Sequence, residues 1–153
     1  MIWLVGISCA VCIAAMAAIV LFDMAIRIIP CGLCWLLAGS GLALQAGMHG
    51  AGGVAAGACW AIVLYACTRI AAHAVNRRLG SEGAAIGGGD MRCMAALSLA
   101  TGPYAPCGFA ACFGVAALLA AVARIRKRLL PGEPFAFAPF LALWFAAGVL
   151  AAT

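Results

Sequence analysis

Ile2-Trp3-Leu4-Val5-Gly6-Ile7-Ser8-Cys9-Ala10-Val11-Cys12-Ile13-Ala14-Ala15-Met16-Ala17-Ala18-Ile19-Val20-Leu21-Phe22 is the stretch that decides the fold, because it carries no charge from end to end. A helix of that length rises about 30 Å, the thickness of the hydrocarbon core of a bilayer. Asp23 follows at once, and the first basic residue is Arg27. The pattern repeats along the chain: further apolar runs cover about 33–48, 54–73, 91–101, 108–123 and 137–152, joined by short links. Hydrophobic residues make up 68% of the sequence and charged residues 8%, too little polar surface for a water-soluble domain of 153 residues. In lipid every backbone N–H and C=O must be paired, which leaves helices or a closed barrel. These runs are continuously apolar and do not alternate, so the expectation is an all-α, polytopic membrane protein of about six transmembrane helices. With no polar module between the runs, residues 1–153 read as a single integral-membrane domain.

The first run could be a secretory signal, and Ala15-Met16-Ala17 offers a small-residue cleavage pattern. It lacks a basic segment ahead of it, and its first positive charge follows the run, which argues for a retained helix with the N-terminus outside. Charge tests that topology. With the N-terminus outside, segments 23–32, 74–90 and 124–136 face the cytoplasm. They hold Arg27, Arg77, Arg78, Arg124, Arg126, Lys127 and Arg128, with Arg69 and Arg92 on flanking helix ends. The outer links, 47–53 and 102–107, hold no Lys or Arg. The positive-inside rule is met throughout, and it accounts for the net charge of +5 without a nucleic-acid partner.

Nine cysteines invite a disulfide or metal reading, and Cys9/Cys12 and Cys31/Cys34 have C-x-x-C spacing. The first pair lies mid-run and the second at the edge of another run, so the two are not expected to meet around a zinc ion, and no metal is expected. Gly53 and Gly57 form a G-x-x-x-G pair, and Gly39 and Gly41 lie in a small-residue stretch. Such residues let helices approach closely where lipid supplies no hydrophobic drive.

Only four acidic residues exist: Asp23, Glu82, Asp90 and Glu133. Asp23 closes the first run and Asp90 opens the fourth, on the same membrane face of the expected topology. In a compact bundle they could meet. Two adjacent carboxylates are a known solution for peptide hydrolysis. They share one proton, the ionised member takes a proton from the attacking water, and the protonated member donates to the carbonyl oxygen or the leaving amine. Spacing alone leaves a plainer reading open, in which Asp90 caps a helix starting at Met91 and the aspartates have no chemistry. The fourth run spans only about 17 Å before Gly102-Pro103, so one of its ends is expected at membrane depth, beside protein or a hydrated pocket. Other proteolytic chemistries fit worse. There is no H-E-x-x-H, Ala38-Gly39-Ser40-Gly41 lacks the first glycine of a serine-hydrolase turn, and the sole lysine, Lys127, sits in a basic cluster.

Gly87-Gly88-Gly89-Asp90-Met91-Arg92 resembles the G-x-G-D segment of the type IV prepilin peptidases. Asp23-Met24-Ala25-Ile26-Arg27-Ile28-Ile29-Pro30 resembles the first-aspartate segment of that family. Residues 134–143, Pro-Phe-Ala-Phe-Ala-Pro-Phe-Leu-Ala-Leu, resemble the opening of its last helix. The resemblance implies a membrane aspartic endopeptidase that removes the short basic leader of prepilins or pseudopilins at the cytoplasmic face of the inner membrane. It implies Asp23 and Asp90 as the catalytic pair, and Gly87, Gly88, Gly89, Pro30 and Arg92 as residues that position backbone or substrate. Arg92 stands where the family usually has a lysine. The cytoplasmic domain with two C-x-x-C pairs that many bacterial members carry is not expected here. Nor are a second, methyltransferase activity, any cofactor, or a partner beyond the substrate protein and membrane lipid. The rival expectation is a non-catalytic helical membrane protein: a pilus or secretion assembly subunit, a small transporter or an inactive homologue. Because the leader and the cytoplasmic surface are both basic, Glu82, Glu133 or anionic lipid headgroups are expected to offset the repulsion.

Overall fold

The computed structural model describes residues 2–79, 87–126 and 137–152. They are helical, with no strand among them: α1 (Ile2–Ile26), α2 (Cys31–Leu79), α3 (Gly88–Thr101), a 3-10 turn (Gly102–Tyr104), α4 (Ala105–Ile125) and α5 (Ala138–Ala152). Three helical stretches are long and apolar enough, by length and composition, to cross a membrane: Ile2–Ile26, Cys31–Val75 and Gly88–Ala123; Ala138–Ala151 is a shorter apolar helix. Trp3, Ile7, Leu21, Ile62, Ile70, Leu118 and Ile125 face outward, an apolar surface suited to lipid.

The expectation of about six separate transmembrane helices is corrected. The second and third runs are joined without a loop in the 49-residue α2, which breaks only at Gly50, and the fourth and fifth follow one another through a single 3-10 turn. The expected outer links at 47–53 and 102–107 are largely helical: 47–53 lies within α2 apart from the break at Gly50, and 102–107 is the 3-10 turn, with Pro103 at its start, followed by the first turn of α4. The other boundaries move the same way. α1 runs past Asp23 to Ile26, α2 carries Arg77 and Arg78, and α3 begins at Gly88 instead of Met91. Glu82 and Glu133, and with them the expected local offset of leader charge, lie outside the described residues.

α2 is not straight. Gly50 has φ 62° and ψ −152°, a conformation open to glycine and strained for other residues. A Cβ on Gly41 would lie 2.7 Å from the Cα of Ala100, and a Cβ on Gly57 would lie 3.3 Å from the Cα of Leu99. The Cα atoms of these two glycines therefore stand at most about 13 Å apart, whereas sixteen residues of straight helix would separate them by about 24 Å. The chain reverses at Gly50, and residues 31–49 and 51–79 form the two arms of a hairpin against α3. Gly41 and Gly57 are glycine because α3 occupies the space of their side chains. Gly39 meets nothing, and Gly53 folds back on Gln45 and His49.

A second reversal occurs at Gly102, whose φ is 56°. α4 then runs antiparallel to α5: Phe109 stacks edge-on against Trp144 at 5.4 Å, and Phe113 meets Phe137 at 5.3 Å. α5 is parallel to α3, since a Cβ on Gly148 would strike Thr101 while Ala138 meets the end of α1 near Asp90. α1 is antiparallel to the first arm of α2, with Val5 against Gly47 and Cys12 Sγ 3.1 Å from Ser40 Oγ. Gln45, buried between the hairpins, ties them at the far end. Its Nε2 donates to the Ala100 carbonyl at 2.8 Å, and His49 Nδ1 lies 3.0 Å from its Oε1. Ser98 and Thr101 satisfy their hydroxyls on Met94 and Leu97 carbonyls one turn back. This topology gathers the end of α1 and the starts of α2, α3 and α5 at one end of the bundle. They lie level with Phe113, about 18 Å short of the end of α4.

Candidate active site

Asp23 is buried by the helix that carries it. Ser8, Cys12, Ala15, Met16 and Ile19 form the inward stripe of α1 at helical spacing, and Asp23 continues that stripe one turn further. Only 7% of the residue is exposed. Its Oδ2 accepts the backbone N–H of Ala138 at 2.9 Å. The first turn of a helix has N–H groups without intrahelical partners. In α5, Pro139 has no N–H, and the N–H groups of Phe140 and Leu141 donate to the carbonyl of Phe137. The Ala138 N–H is the remaining donor, and the carboxylate of Asp23, 115 residues away in sequence, accepts it.

Asp90 is the third residue of α3, not the residue preceding it as a cap at Met91 would require. Gly87 is the N-cap, in extended conformation, and its backbone hydrogen-bonds the Asp90 carboxylate. This is the reach-back half of a capping box, here without a side chain on the capping residue. Gly87 must be bare, since a Cβ would sit 2.9 Å from Asp90 Oδ2; on Gly89 it would sit 3.0 Å from the Cβ of Ile29; Gly88 meets nothing and faces out. The first and third glycines thus let the Asp90 turn fit between its own carboxylate and the α1–α2 connection. Asp90 is half-buried, and its carboxylate interacts electrostatically with that of Asp23. Two acids 67 positions apart, which the sequence placed only on the same membrane face, lie within reach of each other's charge at two helix N-termini.

The remaining sequence candidates lie around this pair. The Pro30 carbonyl accepts the N–H groups of Leu33 and Cys34 at 3.1 and 3.4 Å, so Pro30 starts α2. Arg92 is exposed and directs Nη1 at Cys31 Sγ, 3.8 Å away, along the α1–α2 connection. Two features of the site leave little trace in the sequence. One is the Ala138 amide, which Pro139 signalled only as part of a helix start. The other is a set of thiols: Cys34 and Cys93 share a hydrogen bond, and they and Cys112 lie close enough to interact with Asp90. The cysteines of the two C-x-x-C pairs are free, and among the described residues no group of three or more His, Cys, Asp or Glu is arranged to hold a metal ion. Ser40 is engaged with Leu36, Leu37 and Cys12, and His49 with Gln45. An apolar groove between α1 and α5, lined by Met16, Val20, Leu21, Ala142 and Phe145, begins one turn from Asp23.

No family model, curated protein or solved structure matches this chain.

Proposed function

We propose that the chain is a membrane aspartic endopeptidase in which Asp23 and Asp90 cleave the basic leader of a type IV prepilin or pseudopilin, at the cytoplasmic face of the inner membrane. The observation that carries this reading is that two acids, one of them almost fully buried, stand within electrostatic reach of each other at one end of an apolar bundle. Burying a charge without a partner is costly, and two carboxylates side by side add repulsion unless a proton is shared. A cap satisfies one backbone N–H for each acid but does not need the two acids in one place. A dyad has a use for them. Water attacks the scissile carbonyl as it loses a proton to the ionised acid. The other acid protonates the carbonyl oxygen, and the C–N bond then breaks with a proton passing to the new amine. The resemblance of the segments at 23–30, 87–92 and 134–143 supplies the substrate class. The apolar groove leading from Asp23 suits a substrate whose cleaved bond adjoins an apolar helix. The N-terminus outside and the basic links inside complete the proposed topology.

A second reading has its own observation. Each aspartate holds a backbone N–H at a helix start, Ala138 for Asp23 and Gly87 for Asp90. Caps can be structural and nothing more. Co-expression of a prepilin-type precursor with the wild type, Asp23→Asn and Asp90→Asn separates the two. The peptidase reading expects processing by the wild type and none by either variant, with both variants inserted in the membrane. Processing retained by either variant rejects the dyad.

A further inference from the structure

Resting on the peptidase reading, we infer that the backbone amide of Ala138 is a positioning group of the catalytic site. By occupying Oδ2 of Asp23, it leaves Oδ1 as the oxygen that takes the proton from the attacking water. A carboxylate turns readily about its last torsion, and its two oxygens are otherwise equivalent. Here they differ. Oδ2 is fixed at 2.9 Å from an N–H whose own position is set by α5, a helix packed against α3 and α4. The other first-turn amides of α5 are absent at Pro139 or spent on the Phe137 carbonyl, so one donor holds one oxygen. Ala138 is itself fully buried, which keeps water from competing for the bond. Oδ2 keeps a second lone pair, but the N–H bond draws charge from it and a proton there would weaken that bond, so the catalytic proton goes preferentially to Oδ1. In the hydrolytic step the water O–H bond breaks with its proton going to Asp23 Oδ1, and the new C–O bond forms at the scissile carbon. The Asp90 proton goes to the carbonyl oxygen. Losing a well-placed orienting bond to a charged group lowers turnover by about 10- to 100-fold with little effect on substrate binding.

Ala138→Pro removes the amide and keeps a helix start, because proline is well accommodated at a first helical position and Phe137 is already outside the helix. Ala138→Cys adds comparable bulk and keeps the amide, and Ala138→Gly keeps the amide with less bulk. All are assayed as full-length protein in phospholipid vesicles on a precursor with a basic leader, a glycine and an apolar segment. Expected are a fall in kcat of about 10- to 100-fold for Ala138→Pro with KM within about twofold of wild type, and recovery to within about threefold in the other two. Equal losses in Ala138→Pro and Ala138→Cys, or a rise in KM alone, overturn the inference. If Ala138→Pro does not insert, the amide can be read directly. With carbonyl-13C phenylalanine and 15N alanine, only the Phe–Ala amides at positions 110, 136, 138 and 146 are selected. The position-138 proton should move upfield in Asp23→Ala, and an unmoved signal overturns the inference. Failure of wild type to cut the precursor at all would instead remove the peptidase reading, while the spectroscopic result would still report whether Asp23 holds the amide.

Discussion

Oδ2 of Asp23 accepts the N–H of Ala138 at 2.9 Å, and this one bond fastens the last turn of α1 to the first turn of α5. Asp90 meets the same junction from α3, held by the backbone of Gly87. The candidate site is therefore a place where three helices end or begin, and its acids are part of how those helices are joined. Removing them tests chemistry and architecture together, so each substitution needs a fold readout beside its activity readout.

Asp23→Asn and Asp90→Asn should each lower precursor cleavage by about 100-fold or more, the range expected when a general acid or base is lost. Asparagine still offers an oxygen to the amides of Ala138 and Gly87, so the helix starts should survive. Gel-shift processing assays, read beside protease protection of the inserted protein, give both quantities. A variant that stays inserted and still cuts at the wild-type rate would remove the acid from the mechanism.

Gly108→Ala and Gly114→Ala should have opposite effects. A Cβ at Gly108 would overlap the indole of Trp144, and overpacking of this kind costs about 1–3 kcal/mol. At Gly114 nothing lies within 4 Å, so alanine should be neutral or stabilise α4 by up to about 1 kcal/mol through its higher helix propensity. Thermal unfolding in one detergent, with both variants compared to wild type, checks the pair.

Gln45→Leu should destabilise the bundle by about 1–2 kcal/mol. It removes the bond to the Ala100 carbonyl, leaves that carbonyl buried without its partner, and releases His49. The affected contacts lie at the end of α3 opposite Asp90. Unfolding should shift while the cleavage rate at a temperature well below the transition stays within about twofold. A selective loss of cleavage without a stability change would contradict this.

Single cysteines in a background without the native nine should label in a graded way. Gly88 faces out and meets nothing, whereas Met91, one turn on, is buried. Gly88→Cys should react with a polar maleimide and Met91→Cys about tenfold more slowly, an order-of-magnitude expectation from burial. Uniform labelling across 88–91 would mean the turn is an open loop. The same reagent tests the side: in intact cells Met48→Cys, exposed at the opposite end, should label, and Gly88→Cys should label only after permeabilisation.

The helical class, the approximate places of the apolar segments and the two acids at their margins are legible in the residues alone. These are local properties: run length, missing charge and the need to pair every backbone group within its own segment. They do not determine where every helix stops. Gly102-Pro103 marks the end of α3 on paper, but 47–53 holds four glycines and no proline, and nothing there singles out Gly50 as the one whose positive φ turns the chain. The fit of Gly41 and Gly57 to α3 was equally hidden, because a small residue marks a possible contact without naming its partner. That Asp23 comes within electrostatic reach of Asp90, and that the Ala138 amide holds it, depended on how the helices pack. The physical reason is distance along the chain. Helix pairing between apolar segments rests on shape complementarity, which leaves no periodic signal, and the bond from Asp23 to Ala138 joins residues 115 positions apart through a backbone group that every residue but proline possesses.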